Sequence, residues 1–125
     1  MNVTVTSFGY LHGEPPAAHL TVDLRHHFRD PHVSPELRHM TAHDSEVRQA
    51  VLRTPGIPAL IDAVSDAVVA YRHGPGGQDV EVAVGCAGGR HRAGVVAAAI
   101  RTALADEGVP ATVVHRDLDK PVIDR

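Results

Sequence analysis

One glycine-rich segment, residues 85–92, combines residue types that can hold a phosphate group. It reads Gly-Cys-Ala-Gly-Gly-Arg-His-Arg. Glycines permit a tight turn in which several backbone N–H groups face one concavity, and a helix that follows such a turn favours an anion at its N-terminus. An arginine side chain adds a charged fork for phosphate oxygens. We therefore predict that this 85–92 loop binds an anion through Cys86, Ala87, Gly88, Gly89, Arg90, His91 and Arg92.

The same segment contains the spacing Cys-x5-Arg, from Cys86 to Arg92, which is typical of cysteine-dependent phosphatases. In that chemistry a thiolate attacks phosphorus, and the arginine and the backbone amides hold the oxygens. Ala93 stands where such enzymes usually carry a hydroxyl, so catalysis by Cys86 and Arg92 ranks third among our hypotheses. The Gly-Lys-Ser/Thr ending of a nucleotide-hydrolysing P-loop is absent.

The elements on either side of the loop determine where it lies. Residues 80–84 are apolar except for Glu81 and predict a buried strand, and the alanine-rich residues 92–107 predict a helix that Gly108 ends. Residues 112–115 predict a last strand. Strand, helix and strand at this spacing indicate a parallel β-α-β unit with a right-handed crossover, whose ligands bind at the carboxyl ends of the strands.

The first half of the chain supplies the rest of the predicted sheet. Residues 3–10 and 20–24 are rich in β-forming residues and predict two strands of one sheet. Residues 25–44, with five histidines, predict a long and therefore functional loop. Helices follow over residues 45–53 and 58–72. We expect one α/β domain over residues 1–125, with a mixed or mostly parallel sheet of about four strands flanked by helices and a charged tail over residues 116–125.

Several other side chains are candidates for the same site. Asp23 and Arg25 alternate with apolar residues at the end of the second strand and share one face of it, and they form either part of the site or a surface ion pair. Arg116 and Lys120 follow the last strand, near the same edge of the sheet. The ten histidines show no metal-ligand spacing, so we expect that most are exposed and that a few line the anion site.

Composition limits the classes of function. The 125 residues carry a formal net charge of -3, so the whole surface is not a non-specific nucleic-acid binder. The single cysteine excludes an internal disulfide and multi-cysteine zinc sites. With no signal peptide and no membrane span expected, the predicted location is the cytoplasm, with no membrane partner and no cofactor. Assembly into a homo-oligomer is compatible with the sequence.

In order, these motifs resemble the C-terminal domain of the RapZ family, bacterial RNase adapter proteins. The resemblance covers nearly the whole chain and rests on Ser7-Phe8-Gly9-Tyr10-Leu11-His12-Gly13, on Asp23-Leu24-Arg25, on Asp30-Pro31-His32, on the 85–92 loop and on His115-Arg116-Asp117-Leu118-Asp119-Lys120. It implies a fold similar to a phosphofructokinase subdomain. It also implies a sensor or adapter, not a catalyst, that binds glucosamine-6-phosphate and small regulatory RNA.

Carried over residue by residue, the resemblance places His12, Cys86, Gly88, Gly89, His91 and Arg92 in the anion pocket, and Arg116 and Lys120 at the RNA-contacting end. Leu11 stands where the family usually has lysine, and Ala87 and Ala93 replace its usual hydroxyl residues, so the ligand itself can differ. The family's nucleotide-binding kinase-like domain has no counterpart here, and ATP or GTP hydrolysis is not implied. Our leading hypothesis is recognition of a phosphorylated small molecule. RNA binding without such a ligand is the second.

Overall fold

The computed structural model describes residues 2–125, which form a four-stranded sheet with three helices. The strands are β1 (Val3–Gly9), β2 (Leu20–Asp23), β3 (Val80–Cys86) and β4 (Thr112–His115), and the helices are α1 (Ser45–Leu52), α2 (Ile57–His73) and α3 (Arg92–Asp106). The strand order is β2-β3-β1-β4, and every pair is parallel. The predicted α/β class and the parallel β-α-β unit from β3 through α3 to β4 are confirmed.

The core lies between the helices and one face of the sheet. Alternate residues of β1 and β3 point to this face, so Val5 and Val82 are buried beneath α3. Helix α3 contributes Ile100 and Leu104, both fully buried, while α1 and α2 pack beside it. Branched aliphatic side chains thus fill the core and fix α3 over β1 and β3, with the 85–92 loop at its start.

Two short 3-10 helices are absent from the sequence predictions. β1 ends at Gly9, and Tyr10–His12 form a short 3-10 helix because the chain must leave the sheet beside the 85–92 loop. A Cβ atom on Gly9 would lie 2.5 Å from the carbonyl carbon of Gly88, so only glycine allows this close approach. The predicted 25–44 loop contains a second 3-10 turn, Pro31–Val33, whose His32 amide bonds to the Asp30 carboxylate at 3.0 Å.

A parallel sheet gathers the segments that follow its strands at one edge. β1 and β2 are confirmed in one sheet but are separated by β3. The chain therefore leaves β1 in one direction, toward β2, and leaves β3 in the other, toward β4. Ligand crevices in α/β folds lie where such connections diverge. Here that point is the junction of Gly9 with Cys86, which are paired in register.

Candidate functional site

The main feature of the 85–92 loop is a run of backbone amides without internal acceptors. Within residues 2–125, no acceptor bonds to the N–H groups of residues 88–92, five consecutive donors. The sixth, the N–H of Ala93, bonds to the sulfur of Cys86 at 3.4 Å. Gly89 has φ of +78°, and alternation of right- and left-handed backbone is how successive N–H groups come to face one side. This run lies at the N-terminus of α3, where the helix dipole favours an anion.

Two hydrogen bonds fix the orientation of this run. The carbonyl of Ala87 accepts from the Leu11 amide at 3.0 Å, and the carbonyl of Arg90 accepts from the Ala42 amide at 2.8 Å. Because C=O and N–H point in opposite directions across a trans peptide, the N–H groups of Gly88 and His91 face away from those partners. A Cβ atom on Gly88 would meet nothing within 4 Å, so the space at that residue is open.

Arg92 is turned into the protein. Its side chain is 2% exposed, and its guanidinium donates to the carbonyls of Leu24 at 2.8 Å and of Arg25 and Phe28 at 3.2 Å each. It also contacts the Asp30 carboxylate at 3.3 Å. The guanidinium that was predicted to hold phosphate oxygens is therefore bound to the segment that follows β2. Among the nitrogens of this guanidinium, only Nε lacks an acceptor within the described residues.

The side chains of Arg90 and His91 also bind backbone carbonyls of the protein. Arg90 donates to the carbonyls of His39 at 2.6 Å and Lys120 at 3.0 Å. The His91 ring is buried, and its Nε2 lies 3.0 Å from the carbonyl of Leu37. Burial lowers the pKa of His91, so the ring is neutral at pH 7 and donates to that carbonyl. The side chains of three consecutive basic residues thus clamp residues 24–42, which we call the clamped loop.

Cys86 is also directed inward. The residue is 2% exposed, and its sulfur receives the amide of Ala93 from the first turn of α3. A phosphatase nucleophile must face its substrate. Burial of this thiol does not favour the phosphatase hypothesis.

Asp117 joins the ends of β1 and β4 at the same edge. This fully buried carboxylate accepts from the Gly9 amide at 2.8 Å and from Arg116 Nε at 3.0 Å, and it pairs with Lys120 Nζ at 2.7 Å. Burial alone would raise the pKa of Asp117, but these donors outweigh it and lower the pKa to about 2. Arg116 also donates to the carbonyl of Glu14 at 2.5 Å. Both residues predicted to contact RNA are therefore engaged by Asp117.

His12 and Arg25 are the site candidates whose side chains take no part in these clamps, although the Arg25 carbonyl is held by Arg92. His12 Nε2 is buried with no hydrogen-bond partner within residues 2–125, and its neighbour Leu11 is bonded to the 85–92 loop. Arg25 is exposed, lies 3.6 Å above the Tyr10 ring and forms a bidentate pair with Asp23. The hydrogen bonds from Arg25 lower the pKa of Asp23 to about 2. The predicted Asp23–Arg25 pair therefore exists, and it stands at the carboxyl edge of the sheet.

Comparison with known proteins identifies the family of the chain. A model of the RapZ C-terminal domain matches residues 1–119. The chain belongs to the RapZ C-terminal domain family. Nucleotide-binding proteins of Streptomyces coelicolor and Parafrankia are each 40% identical to it, and one of Thermobifida fusca is 37% identical. Each alignment covers 96% of this chain but only 41 to 42% of the relative, so the chain spans about two fifths of the length of these curated relatives.

Two carboxylates of this RapZ-family domain were missed as site residues. Asp30 holds Arg92 and also pairs with Arg125 at 2.7 Å, while Asp117 holds Gly9, Arg116 and Lys120. Burial would raise the pKa of Asp30, but the bonds from Arg125, His32 and Arg92 lower it. In the sequence, each basic segment that follows a strand contains an acidic residue, and this pattern points to both carboxylates. Among the described residues there is no group of three metal-ligating side chains, and no helix has the length and apolar character to cross a membrane.

Proposed function

We propose that this domain binds a phosphorylated small molecule at the carboxyl edge of its sheet, with the phosphate on the amides of residues 88–92. The observation that carries the proposal is that these five consecutive donors have no acceptor within the described chain. Five unpaired N–H groups at a helix N-terminus complement an anion far better than a neutral ligand. The positive charge of Arg92, 2% exposed and held by carbonyls, supports the loop from behind.

His12 and Arg25 complete the proposed pocket. An unpartnered, buried imidazole nitrogen requires a polar partner, and a bound ligand would provide it. The exposed guanidinium of Arg25, stacked on Tyr10, can reach a second group of the ligand. Membership of the RapZ C-terminal domain family favours an aminosugar phosphate such as glucosamine-6-phosphate as that ligand. Cys86 and Ala87 then act through the backbone of the loop, and no covalent step is required.

Gly88 provides the sharpest test because its missing side chain faces open space. Isothermal titration with glucosamine-6-phosphate and inorganic phosphate should show binding to the wild type and to Gly88→Ala. Gly88→Glu places a carboxylate beside the amides and should weaken binding at least about tenfold. The matched control is Gly76→Glu, which adds the same charge to an exposed turn at the other end of β3. Equal affinity in all four proteins would refute the site.

The curated relatives are named nucleotide-binding proteins, a property attached to chains about two and a half times as long. ATP therefore belongs in the same titration as a competitor. If ATP bound far more tightly than the sugar phosphate, and if Gly88→Glu abolished that binding, the phosphate site would stand and the aminosugar would be replaced as its ligand.

RNA is the second candidate partner, and a specific surface favours it. Residues 25–29 expose four basic side chains, Arg25, His26, His27 and Arg29. Arg116 and Lys120, the other predicted RNA contacts, remain part of this proposal, and both are paired with Asp117. Phosphate-backbone contacts predict binding that weakens as salt increases. A gel-shift series without any complex at low ionic strength would remove this hypothesis.

A further inference from the structure

The backbone N–H groups and the side chains of the 85–92 loop point in different directions. Its backbone N–H groups over residues 88–92 are unpaired, whereas the side chains of Arg90, His91 and Arg92 reach in the other direction to carbonyls of the clamped loop. The same three residues thus supply both the proposed ligand site and the attachment of another segment. We propose that occupancy of the amides by a phosphate group is transmitted to the clamped loop (residues 24–42), so that this loop reports the bound state.

The peptide between Arg90 and His91 shows how the two are linked. Its carbonyl accepts from the Ala42 amide at 2.8 Å, and its N–H belongs to the unpaired run. A trans peptide is a rigid plane, so a ligand that fixes the direction of the His91 N–H also fixes the direction of the Arg90 carbonyl. Binding at the amides therefore strengthens the bond that holds the end of the clamped loop.

The side chain of Arg90 extends the same link. It donates to the carbonyls of His39 at 2.6 Å and Met40 at 3.4 Å, so displacement of the Arg90 backbone moves two more attachments of the clamped loop. His91 adds the contact with Leu37, and Arg92 adds those with Leu24, Arg25 and Phe28. Attachment points are thus distributed along the clamped loop, from its first residue to its last.

The structure of the clamped loop allows its order to change when phosphate binds. Apart from the 3-10 turn Pro31–Val33 it contains no regular element, and its internal bonds are short-range, such as Leu37 N to Ser34 O at 3.1 Å. Leu24 and Ala42 anchor its two ends in the core, but between them only Pro31 is buried, so the middle of the loop can open at a lower free-energy cost than the helices. Its exposed residues include Arg25, His26, His27, Arg29 and His39, so a change in its order changes the charged surface that the domain presents.

Coupling of this kind is reciprocal, and this gives the proposal a second consequence. If phosphate orders the clamped loop, then loosening the clamped loop must weaken phosphate binding by the same factor. This proposal rests on the proposed function, since it requires an anion on the amides. It adds that phosphate on the amides controls the order of residues 37–42, which binding alone does not require.

Hydrogen exchange measured by mass spectrometry tests the coupling, with inorganic phosphate as the probe and calorimetry on the same samples. In the wild type, saturating phosphate should slow exchange of the amides over residues 37–42 by about fivefold or more. In Arg90→Ala the amides of residues 88–92 remain, so phosphate should still bind, more weakly, while the protection of residues 37–42 is reduced because the bonds to the His39 and Met40 carbonyls are gone. The matched control is Arg53→Ala, an exposed arginine whose side chain makes no hydrogen bond with the described residues. It should behave like the wild type.

The possible failures separate the two proposals. If calorimetry shows that phosphate binds and exchange over residues 37–42 does not change, the coupling is wrong and the proposed function stands. If the wild type binds no phosphate, both are wrong. Arg90→Met removes the donors but keeps the length of the side chain, and it replaces Arg90→Ala if that variant unfolds. Full protection of residues 37–42 in a folded variant without these donors would overturn the role of the Arg90 hydrogen bonds.

Discussion

Two glycine turns stand at opposite ends of β3, and they differ in how the chain is held. The turn before the strand, residues 74–77, is exposed, and a Cβ atom on Gly76 or Gly77 would meet nothing within 4 Å. The 85–92 loop after the strand is packed against Gly9 and Asp117 and carries three side-chain clamps. A cleft of about 570 Å³ adjoins the first turn, lined by His19, Tyr71 and glycines.

If the proposed site is correct, neither glycine content nor cleft size identifies it. The cleft beside residues 74–77 is lined with apolar groups and exposed polar ones, and its glycines serve only to turn the chain. In the 85–92 loop, glycines permit close packing on one side while unpaired N–H groups remain on another. A preorganised polar site needs this support, since flexible amides would lose entropy on binding. The difference between the two turns can be tested by matched substitutions at the two ends of β3.

The largest expected effect is on stability, from Gly89→Ala compared with Gly76→Ala. Gly89 has φ of +78°, and an added Cβ would lie 2.8 Å from the Gly9 nitrogen and 2.9 Å from Asp117 Cβ. Left-handed backbone and overpacking together predict a loss of about 2–5 kcal/mol in the free energy of unfolding. Gly76→Ala should change it by less than about 0.5 kcal/mol. Urea unfolding measures both, and similar losses would mean that the two turns are equally fixed.

The next effect concerns Asp117, which secures the carboxyl edge and has no counterpart at the other end of β3. Asp117→Asn leaves Arg116 and Lys120 beside a neutral amide and should cost about 3 kcal/mol, as expected for a broken buried pair. Asp79→Asn is the control, because within residues 2–125 that carboxylate accepts a hydrogen bond only from the exposed Asn2 amide before β3. Its expected cost is about 1 kcal/mol or less.

The same carboxylate sets a pH dependence. The pKa of Asp117 is lowered from 3.8 to about 2, so the unfolded chain takes up the proton first as pH falls. The stabilisation is present above pH 3.8 and is lost between pH 3.8 and about 2, an effect on the order of 2 kcal/mol. Unfolding curves across this range should be flatter for Asp117→Asn than for the wild type. Parallel curves would assign the acid sensitivity to other carboxylates, such as Asp30.

Most of the fold was predictable because it depends on local patterns. Apolar alternation gave the strands, and the alanine-rich run ended by Gly108 gave α3. The strand order was not predictable, since insertion of β3 between β1 and β2 depends on packing across the whole sheet. The position of the 85–92 loop followed from its place between a strand and a helix.

The directions of the charged side chains were the part that the sequence could not supply. Arg92 was predicted to face a phosphate, yet it meets carbonyls of residues 24–28, which lie more than sixty positions away in the chain. The buried role of Asp117 likewise requires the ends of β1 and β4 to be adjacent. A sequence motif names the groups available for binding, but tertiary contacts decide which of them remain free.

The smallest expected effect on stability, and the most informative about function, comes from Arg25→Ala. Arg25 and Asp23 are each more than a third exposed, and such surface pairs contribute at most about 1 kcal/mol. If Arg25 faces the ligand as proposed, its removal should weaken glucosamine-6-phosphate binding about tenfold or more while the unfolding curve barely moves. Arg90→Ala should instead lower stability as well as affinity, because its guanidinium holds carbonyls inside the fold. An Arg25→Ala protein with full affinity would restrict the site to His12 and the amides of residues 88–92, and the exposed Asp23–Arg25 pair would then be a surface ion pair only.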